Sequence, residues 1–373
     1  MENKSYDVII VGAGGAGLML ARELGLKKRK VLLLERKMDL LNLSFKTLGS
    51  FMNIKEFNLS PEVVAADINT MTLYSKNIKC SAVTKACILD KEYLHKHLID
   101  IIDKNYVDIQ TGISIKSYSA DANGNLTDII DDNGNKYRAT CYVDATGLSG
   151  VLSKQKGLQD KKPDVAVGVE YNVKYKGRTD EAHLYLGNHY EGGYGWLFPL
   201  KNNRAILGFG SFDNLVINEL KLRLNKMLAI PHIAAIVEKD NDTAEGGILP
   251  ITDVKTKVVQ NNLICVGDSV SQVNPVVGEG YKFIFRAAVM AANAIEKALS
   301  QNNIALLTEY EQQWNKQYYN YYRKAKRMQQ ALMDYSKSDS KVDFGMLFLK
   351  TKRDKTITKI ISGEFTKREA YLP

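Results

Sequence analysis

The stretch Gly12-Ala-Gly14-Gly-Ala-Gly17 constrains this chain more than any other. It follows Tyr6-Asp-Val-Ile-Ile-Val11, a short apolar run of the kind buried on both faces of a parallel sheet. After it, the apolar residues from Leu18 to Leu26 recur with helical spacing, and Lys30-Val-Leu-Leu-Leu-Glu35 then supplies a second buried strand. The pattern predicts a strand–helix–strand unit of about 30 residues. Gly12 permits the tight turn, Gly14 lets the backbone approach a pyrophosphate, and Gly17 lets the helix press on the strand. The helix N-terminus offers unpaired N–H groups and a positive dipole end to the phosphates. Glu35 closes the second strand, where a carboxylate accepts hydrogen bonds from a ribose diol. A dinucleotide site is therefore expected, and an acid at this position suits the adenosine of either NAD or FAD.

Two later stretches share the logic. Cys141-Tyr-Val-Asp-Ala-Thr-Gly147-Leu-Ser-Gly150 reads as a strand ending in small residues, and Asn261-Asn-Leu-Ile-Cys-Val-Gly267-Asp268 as a strand ending in Gly-Asp. Ligands of open α/β sheets bind at the carboxyl ends of strands, so Asp268 is expected to meet a sugar or ribityl hydroxyl. Pro275-Val-Val-Gly278-Glu279-Gly280 then opens a helical pattern from Tyr281 to Leu299. That second helix N-terminus would favour the negative charge of a reduced flavin.

Taken together, Gly12-x-Gly14-x-x-Gly17, Asp144-Ala-Thr-Gly147 and Gly267-Asp268 resemble FAD-dependent oxidoreductases of the glutathione-reductase type, within the p-hydroxybenzoate-hydroxylase-like branch. The resemblance spans roughly residues 5–300. Tyr194-Gly-Trp196-Leu-Phe198-Pro199 matches the YxWxFP pattern of the geranylgeranyl reductase family, and Asn274-Pro275-Val-Val-Gly278-Glu279-Gly280 is similar to its NPxxGEG stretch. Tyr310-Glu-Gln-Gln-Trp314 resembles the same family's C-terminal helix. The resemblance implies FAD as cofactor, with NAD(P)H or another donor as external reductant. It implies a cofactor site of Gly12, Gly14, Ala16, Gly17, Glu35, Arg36, Lys91, Gly147, Gly267, Asp268, Pro275, Gly278, Glu279 and Gly280. Tyr194, Trp196, Phe198 and Pro199 would bind an apolar prenyl substrate, since each buried methylene contributes about 0.8 kcal/mol. Two positions depart from the family. Leu48 stands where relatives often carry a cysteine before a glycine, and Lys91 where they often carry arginine; lysine keeps the charge but loses the bidentate fork.

The implied architecture is α/β, a three-layer Rossmann-like FAD domain with a second, antiparallel-sheet substrate domain and a C-terminal helical tail. The FAD domain is expected in pieces, 1–54, 86–164 and 255–300, with Asp131-Asp-Asn-Gly134 as a hairpin turn. Residues 55–85 and 165–254 alternate as sheet strands, and 301–373 form the helical region. There Leu307, Tyr310, Trp314, Tyr318, Tyr321, Ala325, Met328 and Leu332 step by three or four residues along one face.

Composition closes off other classes. The chain has 373 residues, 45% of them apolar and 25% charged, the balance of a folded protein. No apolar run reaches the ~18 residues of a spanning helix, and the N-terminus does not read as a signal peptide. Four cysteines without a CxxC pair read as reduced thiols, so a cytoplasmic location is expected. No histidine set has metal-ligand spacing, and no nucleic-acid motif occurs. The net charge is +9, and residues 301–373 hold +6 of it. That basic region, with Arg323-Lys324 and Lys326-Arg327, is a candidate for peripheral contact with an anionic inner membrane face.

The expected activity is reduction of carbon–carbon double bonds in a prenyl lipid. An isolated alkene accepts a hydride poorly, so its other carbon needs a proton. Tyr194, Glu279 and an ordered water are the candidates for that donor. The alternatives are a monooxygenase or halogenase, a lycopene-cyclase-like enzyme without net redox change, and a non-catalytic flavoprotein. An Asp-Gly pair is the mark of the hydroxylase branch, and Asp144 is instead followed by Ala-Thr-Gly.

Overall fold

The strand Tyr6–Val11 lies inside a six-stranded sheet in the computed structural model, which describes residues 5–364. Ala139–Asp144 and Val31–Glu35 flank it, both parallel to it. Leu263–Cys265 and Val107–Thr111 extend the parallel array, and only the edge strand Val259–Gln260 runs antiparallel. Val8, Ile9, Ile10 and Leu33 are buried, as continuous apolar strands in a parallel sheet must be. The helices Gly15–Leu26 and Tyr281–Ser300 pack together with the sheet in one core. A three-stranded meander, Ile115–Ala120, Leu126–Asp131 and Lys136–Tyr137, contributes Ile115, Leu126 and Ile129 to the same core. The Tyr142 hydroxyl donates to the Thr127 carbonyl at 2.7 Å and ties meander to sheet. The expected three layers and the turn at Gly134 are present.

The second sheet has nine strands and is antiparallel except where Glu181–Tyr185 runs parallel to Val64–Tyr74. Its remaining members include Val165–Tyr175, Arg204–Ser211, Gly193–Pro199 and Ala244–Pro250. Lys79–Asp90 runs unbroken across the expected division at residues 85 and 86, and Thr47–Ser50 pairs with it. The sheet thus takes in residues on both sides of the expected boundaries.

The tail folds as the helices Thr308–Ser336, Asp339–Lys350 and Asp354–Ile361. Tyr310, Trp314, Tyr318 and Tyr322 pack into the core of the first sheet. Val342, Met346, Leu349, Ile357 and Ile361 pack on the second sheet. The tail therefore fastens the two sheets together. Its expected extent, 301–373, is described to Glu364; residues 365–373, like 1–4, lie outside the described residues. No described helix is long and apolar enough to cross a membrane.

One side chain shapes the carboxyl end of the first sheet. Asp144 is 0% exposed. Its carboxylate accepts from Thr146 N at 2.9 Å, Thr146 Oγ1 at 2.6 Å, Leu152 N at 2.8 Å and Ser153 N at 2.7 Å. The acid of the Asp-Ala-Thr-Gly motif is thus spent on folding the turn that follows it. Asp144→Ala strands those buried donors and is expected to cost roughly 3 kcal/mol or more, read as a fall in the urea unfolding midpoint.

Candidate active site

The glycine loop behaves as its spacing requires. Gly12 has φ +102°, and a Cβ there would lie 2.4 Å from the Ala145 carbonyl oxygen. A Cβ on Gly17 would lie 1.9 Å from the Gly12 oxygen. Both positions are closed by backbone. Gly14 differs, because a Cβ there would meet nothing within 4 Å. The helix it opens has no side-chain cap and no acid in its first turn, so its N–H groups remain available to an anion. Glu35 Oε2 accepts from Ala13 N at 2.9 Å and Oε1 from Lys37 N at 3.0 Å, each oxygen keeping further acceptor capacity. Arg36 lines a separate open cleft with Leu148, Ser149 and Lys154, just beyond Gly147.

The later motif converges on this loop. A Cβ on Gly267 would lie 3.0 Å from the Ala16 side chain, so the Gly267-Asp268 turn touches the first helix. Ser269 Oγ reaches the Asp144 carbonyl at 2.8 Å and ties the turn to the end of the Ala139–Asp144 strand. Burial pushes the Asp268 carboxyl up to about 6, opposed by the positive charge of Lys91. Burial in turn lowers Lys91, with Asp268 pulling it back. Tyr281 packs on Gly15, and its hydroxyl lies 2.6 Å from His95 Nε2.

Beside this region opens a cavity of about 990 Å³. Lys91, Asp268, Pro275, Gly278, Glu279 and Gly280 line it, and so do Tyr194, Trp196 and Phe198. Gly193–Pro199 is a strand with side chains alternating between its faces. Tyr194, Trp196 and Phe198 face the cavity, and Leu197 points into the opposite core. Pro199 falls on the buried phase of that alternation and is not among the cavity residues. The ring centres of Tyr194 and Trp196 lie 5.9 Å apart, and those of Trp196 and Phe198 6.3 Å apart. Tyr194 donates its hydroxyl proton to the Val277 carbonyl at 2.6 Å, and burial raises its pKa. Glu279 Oε1 accepts from Ser50 Oγ at 2.6 Å and Phe51 N at 3.0 Å. Glu279 Oε2 lies 3.5 Å from the buried Lys282 ammonium.

Some cavity residues carry no motif. Leu48 does line the cavity, and a thiol enters from the neighbouring strand, where Cys87 pairs with Ser50. Burial, with Glu279 nearby, pushes the Cys87 thiol up to about 12. Glu170 also lines the cavity, and its carboxyl is buried. From the tail come Met328, Leu332, Met346 and the cations Arg323, Lys324, Arg327 and Lys341. Arg323, Arg327 and Lys341 are also exposed, so they mark an opening to solvent.

The lycopene cyclase protein family matches residues 7–336. The chain belongs to that family. The digeranylgeranylglycerophospholipid reductase of Methanococcus aeolicus is 26% identical, over 85% of this chain and 84% of its own. A geranylgeranyl bacteriochlorophyll reductase-like protein from Thermoplasma acidophilum superposes with a TM-score of 0.85 at 19% identity, covering 98% of this chain and 95% of that one. The flavin-dependent brominase Bmp2 superposes at 0.73 with 14% identity, covering 96% and 94%. The resemblance to the geranylgeranyl reductase family of FAD-dependent oxidoreductases thus holds over most of the chain, and the fold is shared more widely.

The residues present fit FAD. Space over Gly14 is open where Gly12 and Gly17 are closed, the helix N-terminus beneath is uncapped, and Asp268 lies on the adjoining turn. Gly14→Ala is expected to keep the wild-type melting temperature while weakening FAD binding at least tenfold. Gly12→Ala and Gly17→Ala are expected to lose roughly 3 kcal/mol or more of stability. Thermal unfolding and flavin titration of the three variants check both arms.

Proposed function

We propose that this chain reduces carbon–carbon double bonds in a prenyl-chain lipid. The observation that carries the reading is the cavity of about 990 Å³, walled by Trp196, Phe198 and Tyr194 and running from the Asp268–Gly280 region to apolar side chains of the tail. Bound FAD would supply the two electrons of the reduction.

In this reading Gly12, Gly14, Ala16 and Gly17 hold the pyrophosphate, while Glu35, Arg36 and Gly147 border the adenosine half. Lys91, Gly267 and Asp268 meet the ribityl and flavin side. Pro275, Gly278, Glu279 and Gly280 border the ring, with Tyr194 across from them. A methyl on Gly278 would come within 3.7 Å of the Tyr194 hydroxyl, which supports a narrow slot there. Trp196 and Phe198 exclude water and position the alkene.

The decisive experiment is anaerobic. Dithionite-reduced enzyme mixed with a geranylgeranyl lipid is expected to reoxidise as the product gains two hydrogens per double bond, followed by flavin absorbance and product mass. Reoxidation by no prenyl substrate overturns the reading. The family match gives a second reading some support. A lycopene-cyclase-like reaction would yield a product of unchanged mass.

The opening among Arg323, Arg327 and Lys341 supports an anionic headgroup or membrane face on that side. The helix Asp339–Lys350 buries Val342, Met346 and Leu349 toward the body and exposes Phe344 (61%) and Leu347 (52%). We propose that this helix rests on lipid, each nearby cation contributing about 1 kcal/mol at an anionic surface. Phe344→Asp with Leu347→Asp is expected to reduce co-sedimentation with phosphatidylglycerol vesicles about tenfold without lowering the melting temperature.

A further inference from the structure

Glu170 sits on Val165–Tyr175, inside the cavity lining, and is 4% exposed. The Trp196 indole N–H donates to its Oε2 at 3.2 Å. Its other oxygen, Oε1, is buried without a hydrogen-bond partner among the described residues. A bare carboxylate oxygen in such a place is costly, and a protonated one far less so. The surroundings favour the proton. Glu245 lies directly across the ladder from Glu170, on the same face of the sheet, where like charges repel. Burial and Glu245 push the Glu170 carboxyl up to about 8, against the Trp196 hydrogen bond and Lys91.

The indole is held to this task by glycines. A Cβ on Gly208 would lie 2.1 Å from the Trp196 ring, and one on Gly168 or Gly210 would lie 3.2 Å from it. The ring therefore lies across bare backbone with its N–H turned to Glu170. Because Oε2 accepts that hydrogen bond, the acidic proton belongs on Oε1. The other acids of the cavity have their own partners, and the positive charge of Lys91 opposes the proton on Asp268. The Tyr194 proton is given to the Val277 carbonyl. Glu279 Oε1 accepts from Ser50 and Phe51, and its Oε2, also without a hydrogen-bond partner among the described residues, faces Lys282 Nζ at 3.5 Å.

We propose that Glu170 is the general acid of this site, its Oε1 proton passing to one carbon of the prenyl double bond. This rests on the reductase reading. The π pair of the alkene forms the C–H bond to the Glu170 proton. The second C–H bond takes its electron pair, as hydride, from reduced FAD. The alkene is reduced by two electrons, the cofactor is oxidised by two, and Glu170 is left as carboxylate and reprotonated by water. A two-electron donor of the nicotinamide class restores the cofactor.

The test uses purified holoenzyme and Glu170→Gln. In the infrared, wild type is expected to show a buried protonated carboxyl that titrates near pH 8, and the variant to lack it. That readout needs no turnover. Glu170→Gln is expected to bind FAD and accept electrons from dithionite as wild type does, while substrate-driven reoxidation slows about 100-fold or more. Wild-type reoxidation should fall about tenfold per pH unit above 8, and residual reoxidation in the variant should be flat. Glu170→Asp is expected to recover part of the rate. Since the folded carboxyl titrates at about 8 and the ordinary value is 4.5, its stabilising effect is complete below about pH 4.5 and is lost progressively as pH rises from there to about 8. Glu170→Gln should therefore lose less stability than wild type between about pH 4.5 and 8, which separates loss of the acid from misfolding. A variant that reoxidises at the wild-type rate, or an unchanged infrared titration, overturns the proposal alone. Failure of wild type to reoxidise with any prenyl lipid overturns the reductase reading and the proposal with it.

Discussion

The site depends on how closely the first helix presses on the first strand. At Gly17 and Gly12 there is no room for a single methyl, because backbone meets backbone. This contact sets where the helix begins, and so where its free N–H groups point. It also brings Ala16 against Gly267 and Gly15 against Tyr281, so the last strand of the parallel array and the helix Tyr281–Ser300 are indexed to the same loop. The glycine loop, the Gly267-Asp268 turn and the start of the helix Tyr281–Ser300 inherit their spacing from one interhelical and helix–strand fit.

Charge in the cavity is arranged by the same packing. Lys91 and Asp268 moderate each other, each less ionised than in water because both lose hydration. Glu170 feels Lys91 too but has Glu245 opposite it, and burial with that like charge tips it toward the neutral form. Two carboxyls in one cavity thereby hold their protons to different pH, which is how a single site keeps an anchor and an acid apart.

Much of this was legible in the chain. The glycine loop, Glu35, Gly267-Asp268 and the aromatic alternation at 194–198 are local patterns, and each folds as its period dictates. The position of Pro199 was also readable, since a period of two puts it in phase with Leu197 and not with Trp196. Glu170 was not. It sits in Val-Ala-Val-Gly-Val-Glu-Tyr, an ordinary alternating strand, and acquires its chemistry only from Trp196 and Glu245, which reach it through tertiary pairing. Cys87 is a similar case, entering the cavity opposite Ser50 while the expected position holds Leu48. The parallel pairing of Glu181–Tyr185 with Val64–Tyr74 has no local signal at all, because strand partnership is a property of the whole sheet.

The tail has a double duty that separates two kinds of change. Trp314 and Tyr322 hold it to the cofactor-bearing core, while Met328, Leu332 and Met346 form the far wall of the cavity. Met328 and Leu332 pack with Val276 and Val277, and Met346 with the second sheet, in clusters other than the core that holds Ala13, Ala16 and Val266. The reach of the pocket can therefore lengthen or shorten by exchange of a few tail residues, leaving the redox machinery as it was. A single scaffold of this design is free to diversify in the size of what it holds while conserving what it does to it.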